Sequence, residues 1–169
     1  TGPTRWAPPT TTKRTRLLRY MVARYAAFPN IIWLVMNDAD YGRTNDINQT
    51  NDWGNYLAAN DPWNHLRSTC GQRNDAAFVN PAWSTHARLM ISGIPPASVG
   101  LAATQVASTT GMAVWNGEDR YEGEATFGNV AFYSRWLAIS WILSGGMASY
   151  GSSLYDRLTP YNSTALTGM

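Results

Sequence analysis

The sequence is short of cysteine, histidine and charge, and each shortage removes a class of chemistry. Cys70 is the only cysteine, so no disulfide can form within the chain. With only His65 and His86 as histidines, a His-rich metal site is not expected, and no cofactor is implied. Charged residues make up 14% and hydrophobic residues 44%, which is far from the composition of a disordered chain. No apolar run reaches the roughly 18 residues that suggest a membrane span, and no signal-peptide pattern is present. There is no G-x-S-x-G nucleophile elbow, no P-loop and no G-x-G-x-x-G, so serine hydrolase and nucleotide-binding readings lack support. The first residue is Thr1 rather than Met, which favours a fragment of a longer protein.

Aromatic residues, by contrast, are abundant. The 169 residues include eight Trp and nine Tyr, which suit either a bulky core or rings that stack on sugar faces. Residues 1–25 carry Arg5, Lys13, Arg14, Arg16, Arg19 and Arg24 and no acid. Such a segment reads as the solvated face of a helix; no nucleic-acid motif supports the alternative. Cys70 at a strand end reads as a small buried residue rather than a nucleophile. Two sequons, at Asn48 and Asn162, matter only in a secreted eukaryotic protein.

Apolar periodicity then suggests an alternation of helices and strands. A helix is expected over about 12–27, with Leu17, Leu18, Met21, Val22 and Tyr25 as its stripe and threonines as N-caps. The run Ile31–Met36 reads as a strand buried on both faces. Further elements are a helix near 51–59 capped by Asn51 or Asp52, strands at 65–70, 86–90 and 112–115, helices at 96–108 and 128–143, and a short strand at 147–150. Gly145-Gly146 supplies the stop of the long apolar helix. The pattern predicts an α/β fold with a parallel sheet, either a barrel or an open sheet.

Two acidic pairs directly follow apolar strands: Asp38 with Asp40, and Glu118 with Asp119. Functional groups gather at the carboxyl ends of parallel strands. Two carboxylates flanking a glycosidic bond are what glycoside hydrolysis requires, although acids in these places also cap helices or solvate loops.

At these residues the chain resembles the apiosidase-like glycoside hydrolases of the retaining (β/α)8-barrel clan. The resemblance runs from about residue 12 to 155. Ala23-Arg24-Tyr25 through Pro29-Asn30-Ile31-Ile32-Trp33 is similar to the helix and fourth strand of that barrel, and Asn37-Asp38 falls where the family has Asn-Glu. Asp61-Pro62-Trp63-Asn64-His65-Leu66-Arg67-Ser68 resembles the approach to the fifth strand, and Trp83-Ser84-Thr85-His86 the sixth-strand region. Val114 through Asn116-Gly117-Glu118-Asp119-Arg120-Tyr121-Glu122-Gly123 resembles the seventh-strand motif, and Gly145-Gly146 through Gly151 the eighth-strand end.

The resemblance implies a C-terminal portion of a (β/α)8 TIM barrel, about five parallel strands with intervening helices, forming a single partial barrel domain over 1–169. It also implies roles: Glu118 as nucleophile, Asp38 as acid/base, and Asn37 at the sugar 2-hydroxyl. Trp115, Tyr150 and Trp33 are candidate substrate-binding or supporting residues, and Asp40 is an alternative acid. Asp38 departs from the family's Glu by one methylene, which moves the carboxyl by about 1.5 Å. Cys70 stands where relatives often have His. The expected partners are a carbohydrate substrate and a complementary chain or second copy to cover the open half barrel. The expected location is extracellular or secreted. The function implied is retaining hydrolysis of a plant or microbial polysaccharide or oligosaccharide; the alternative is a non-catalytic saccharide-binding or assembly protein.

Overall fold

The computed structural model describes residues 11–37, 39–40, 42–71, 81–89, 104, 112–117 and 130–149. Among the described residues, the elements run α1 (Thr11–Tyr25), β1 (Trp33–Leu34), α2 (Thr44–Asn60), β2 (Arg67–Ser68), β3 (His86–Leu89), β4 (Ala113–Asn116), α3 (Val130–Leu143) and β5 (Met147–Ala148). The expected α/β alternation is present, with β1 parallel to β2 and β4 parallel to β5. Of the helix expected over 96–108, only Thr104 is among the described residues, and it is helical. The chain divides into two compact units, Thr1–Arg88 and Leu89–Met169.

In the first unit, β1 and β2 align with Trp33 opposite Arg67 and Leu34 opposite Ser68. The named strands are short, yet their pairing runs further. Trp33 N–H donates to Leu66 O and Val35 N–H to Ser68 O, both at 2.9 Å, and Cys70 N–H donates to Met36 O at 2.9 Å. Helices α1 and α2 pack on the side that carries Trp33 and Val35. Leu18, Ala26, Trp33, Val35, Leu57 and Trp83 form the core, with Met21 and Val22 packed beside them. Each such large side chain contributes roughly 1.5–3 kcal/mol when fully buried. Of the stripe expected on α1, Leu17 and Tyr25 are instead exposed.

The reading of Ile31–Met36 as buried on both faces is corrected. Ile32 is 49% and Leu34 44% exposed, while Trp33 and Val35 are buried. Side chains alternate along a strand, and the helices of this unit cover only one face. Helix α2 also starts earlier than expected, at Thr44, and Asn51 accepts a hydrogen bond from the Trp83 ring (Nε1 to Oδ1, 2.9 Å) instead of capping. Its first turns bury Asp46, Gln49 and Thr50 rather than an apolar stripe. Thr50 Oγ1 satisfies itself on Asp46 O at 2.6 Å, so hydrophobic periodicity carries no signal there.

In the second unit, Trp115 aligns with Met147 and Asn116 with Ala148. Gly117 N–H extends the pairing by donating to Leu89 O at 3.1 Å. Helix α3 buries Leu137, Ser140 and Trp141. It ends in the expected glycine stop. Gly146 N–H donates to Trp141 O at 2.8 Å and Gly145 N–H to Ile142 O at 3.0 Å. With Gly145 at φ 85° this is a Schellman motif, a conformation that suits residues without a Cβ.

Candidate active site

The carboxyl end of β1 is built by backbone pairing on both sides of position 38. Met36 O accepts from Cys70 N–H at 2.9 Å and from Thr69 Oγ1 at 3.1 Å. Beyond that position, Ala39 N–H donates to Cys70 O at 3.1 Å. Ala39 and Cys70 are fully buried, in keeping with the small-residue reading of Cys70. The pairing on either side holds Met36 and Ala39 in register with the strand that carries Cys70.

Asn37 is exposed, and its Oδ1 accepts from Arg88 Nη1 at 3.3 Å. Arg88 is the last residue of the first unit and was not among the sequence candidates. Its signal is a cation inside the short apolar strand His86–Leu89. Arg88 also bears on its neighbour: burial, and then the Arg88 charge, hold the His86 imidazole below its usual 6.5.

Asp40 serves the start of α2. Its Oδ2 pairs with Arg43 Nε at 2.8 Å and its Oδ1 accepts from Gly42 N–H at 3.0 Å. Its own N–H donates to Oδ2 of the buried Asp46 at 3.2 Å. Both carboxylate oxygens are thus engaged in local turn geometry.

Trp33 belongs to the helix-facing core. Its Nε1 donates to Asp61 Oδ2 at 2.8 Å, and its ring meets His65 edge to face at 6.5 Å. Asp61 is the centre of a polar cluster that sequence reasoning missed. Besides Trp33, it accepts from Trp63 N–H at 3.1 Å and His65 N–H at 3.0 Å, and meets His65 Nδ1 at 2.8 Å. Burial works to raise the Asp61 pKa, but these bonds outweigh it and hold the group below 3.8. The cluster precedes β2, at the end of the unit where strands begin. In parallel barrels residues at that end act in stability rather than catalysis.

In the second unit, Trp115 is half-buried on β4, and Asn116 beside it is 1% exposed. Asn116 O accepts from both the N–H and the hydroxyl of Ser149, at 3.1 and 2.8 Å. Among the described residues, the Asn116 carboxamide has no hydrogen-bond partner. Gly117 follows, and Glu118 is next in sequence. Glu118, Asp38 and Tyr150 lie outside the described residues. Among the described residues, no group of three or more His, Cys, Asp or Glu side chains converges, and no helix is long and apolar enough to cross a membrane.

The sequence model described as "Apiosidase-like, catalytic domain" matches residues 4–151, more than half of the chain. No curated protein matches the sequence. Among solved structures, a glycoside hydrolase family 5 protein from Bacteroides vulgatus is similar at 18% identity and a TM-score of 0.67, over 82% of this chain and 34% of that one. A structure named simply glycoside hydrolase is similar at 17% identity and 0.69, over 86% of this chain and 38% of its own. Another Bacteroides vulgatus chain, provisionally named a glycoside hydrolase, is similar at 22% identity and 0.73, over 92% and 30%. These likenesses are of fold: α/β with parallel strands, as in part of a TIM barrel. The chain spans between 30% and 38% of the length of these relatives.

Proposed function

The chain belongs to the apiosidase-like catalytic-domain family, and from that premise we propose that it forms part of a retaining glycoside hydrolase with Glu118 as nucleophile and Asp38 as acid/base. The observation that carries the reading is the placement of the two acids in the chain. Each follows a parallel strand of its own unit: Asp38 after β1, Glu118 after β4 and Gly117. Catalytic residues of parallel barrels come from the carboxyl ends of different strands.

In the proposed reaction the Glu118 carboxylate attacks the anomeric carbon. The bond to the leaving oxygen breaks, and that oxygen takes the proton of Asp38. Water then gives a proton back to Asp38 and attacks the anomeric carbon, which frees Glu118 with configuration retained. Asn37, tethered by Arg88, is the proposed ligand of the sugar 2-hydroxyl, a contact that strengthens as positive charge develops on the ring. Trp115 and Tyr150 are proposed to contribute ring surface for stacking. The substrate class is a plant or microbial polysaccharide or oligosaccharide.

The test is a panel of aryl glycosides together with a 2-fluoroglycoside that traps the glycosyl-enzyme. Hydrolysis by the wild type, its loss in Glu118→Gln, and a covalent adduct on the peptide containing Glu118 are expected. Equal turnover by wild type and Glu118→Gln, or an adduct on a different residue, overturns the assignment.

A further inference from the structure

The first unit contains a concave site that the proposed hydrolysis does not use. A groove of about 720 Å³ lies between α1, the end of α2 and the turn after it, and Thr15, Arg19, Val22, Tyr56, Asn60 and Trp63 line it. That volume falls within the range of small-ligand sites. Helices α1 and α2 lead into β1 and β2, so their last turns lie where those strands begin. Val22, Asn60 and Trp63 are therefore at the opposite end of the unit from Asn37.

Three features give the groove a chemistry. Trp63 is 71% exposed, although an indole ring normally gains by burial. Its backbone is nonetheless pinned, with Trp63 N–H on Asp61 Oδ1 at 3.1 Å, Pro62 before it and Asn64 after it at φ 53°. The backbone that carries the ring is thus held in place. Asn60 holds its amide nitrogen on Tyr56 O at 2.8 Å, which leaves its carbonyl oxygen as an acceptor. Arg19 belongs to a helix that carries Lys13, Arg14, Arg16, Arg19 and Arg24 and no acid. It has no ion-pair partner among the described residues.

We propose that this groove binds an acidic oligosaccharide, with a pyranose stacked on Trp63 and a uronate carboxylate paired with Arg19. A sugar offers an apolar face to the indole, hydroxyls to Asn60 and Thr15, and a planar carboxylate to the guanidinium fork. A nucleic-acid strand fits less well. It would need several cations tracking successive phosphates, and among the described residues Arg19 is the only cation lining the groove.

Binding is tested on the full chain in the Glu118→Gln background, so that turnover plays no part. A uronic-acid oligosaccharide, a neutral one of the same length and a single-stranded oligonucleotide are titrated and followed by tryptophan fluorescence and calorimetry. The acidic saccharide is expected to bind most tightly. Trp63→Ala should weaken it about tenfold or more, as truncation of an anchoring Trp does. Arg19→Gln, or added salt, should bring it down to the neutral saccharide's affinity. Both side chains face solvent, and an unchanged melting temperature confirms the fold of each variant. No saccharide binding, indifference to Trp63→Ala, or tighter binding of the oligonucleotide each overturns the proposal. None of these outcomes bears on Glu118, whose role is read from hydrolysis and trapping alone.

Discussion

Removing the Asp61 carboxylate would strip the acceptor from four groups at once: the Trp33 indole, the Trp63 and His65 amides and the His65 ring. The indole is buried in the core, so its loss of a partner carries a full desolvation cost. Asp61→Ala is expected to destabilise the protein by about 3 kcal/mol, and Asp61→Asn by less because one acceptor oxygen remains. Denaturant unfolding at neutral pH measures both. Acid should erase the difference between wild type and Asp61→Asn. The folded pKa lies below the ordinary 3.8, so the stabilisation is present above that value and is lost as pH falls below it. His86 acts in the same direction at higher pH. Its folded pKa is below 6.5, so the unfolded chain takes up a proton first, and stability declines as pH drops below 6.5. His86→Gln should flatten that part of the pH profile. At the proposed acid, Asp38 is one methylene shorter than the family's Glu, and a misplacement of about 1 Å costs roughly a hundredfold in rate. Asp38→Glu is therefore expected to raise kcat on glycosides with poor leaving groups, and to leave nitrophenyl glycosides, which need little protonation, nearly unchanged. Neither Asp61 nor Arg88 stood out in the sequence. A carboxylate in a Pro-containing turn looks like solvation, and only three-dimensional convergence shows its donors.

At the scale of elements, two glycines mark where backbone and ring packing set the limits. Gly54 sits inside α2, where Ala would ordinarily gain up to about 1 kcal/mol in helix propensity. A Cβ there would run into the Trp83 ring, however, and Trp83 is fixed by Asn51 and nearly buried. Overpacking costs roughly 1–3 kcal/mol or more, so Gly54→Ala should be destabilising despite the propensity gain. Gly145→Ala should cost about 1–2 kcal/mol, because it forces an L residue into the left-handed conformation that closes α3. Thermal melts of the two variants check both values. These elements also show how far local pattern reaches. The stop of α3 was legible because Gly-Gly after an apolar helix has one common structural meaning. The stop of α2 at Asn60-Asp61-Pro62 was legible because Pro disfavours helix in the residue before it. The start of α2 was not legible, since its buried residues Asp46, Gln49 and Thr50 are polar. Nor was the open face of β1: an apolar run looks the same whether one face or both are covered.

Across the whole molecule, the exposed apolar surface is the feature that composition could not reveal. Helix α3 is predominantly apolar, with Ser134, Arg135 and Ser140 among its fourteen residues, and it leaves Ile139 57%, Ile142 61% and Leu143 82% exposed. Their spacing puts them on one helical face, with Leu137 and Trp141 buried on the other. In the first unit, Ile32, Leu34 and Leu66 are likewise exposed. A chain that matches about a third of its relatives' length has less barrel around such faces than they do. The α/β alternation was therefore readable from sequence, whereas the exposure of these faces was not. Contiguous apolar surface of this kind drives association. The isolated chain is expected to self-associate at micromolar concentration in sedimentation velocity. Replacing Ile142 and Leu143 by Lys and Glu should shift it toward monomer while changing its unfolding free energy by no more than about 0.5 kcal/mol per site, the usual range for exposed positions. A wild-type chain that sediments as a monomer at every concentration would show that this face of α3 does not recruit a second copy. An association that survives both substitutions would move the contact to the face bearing Ile32, Leu34 and Leu66, where Leu34→Lys is the corresponding test.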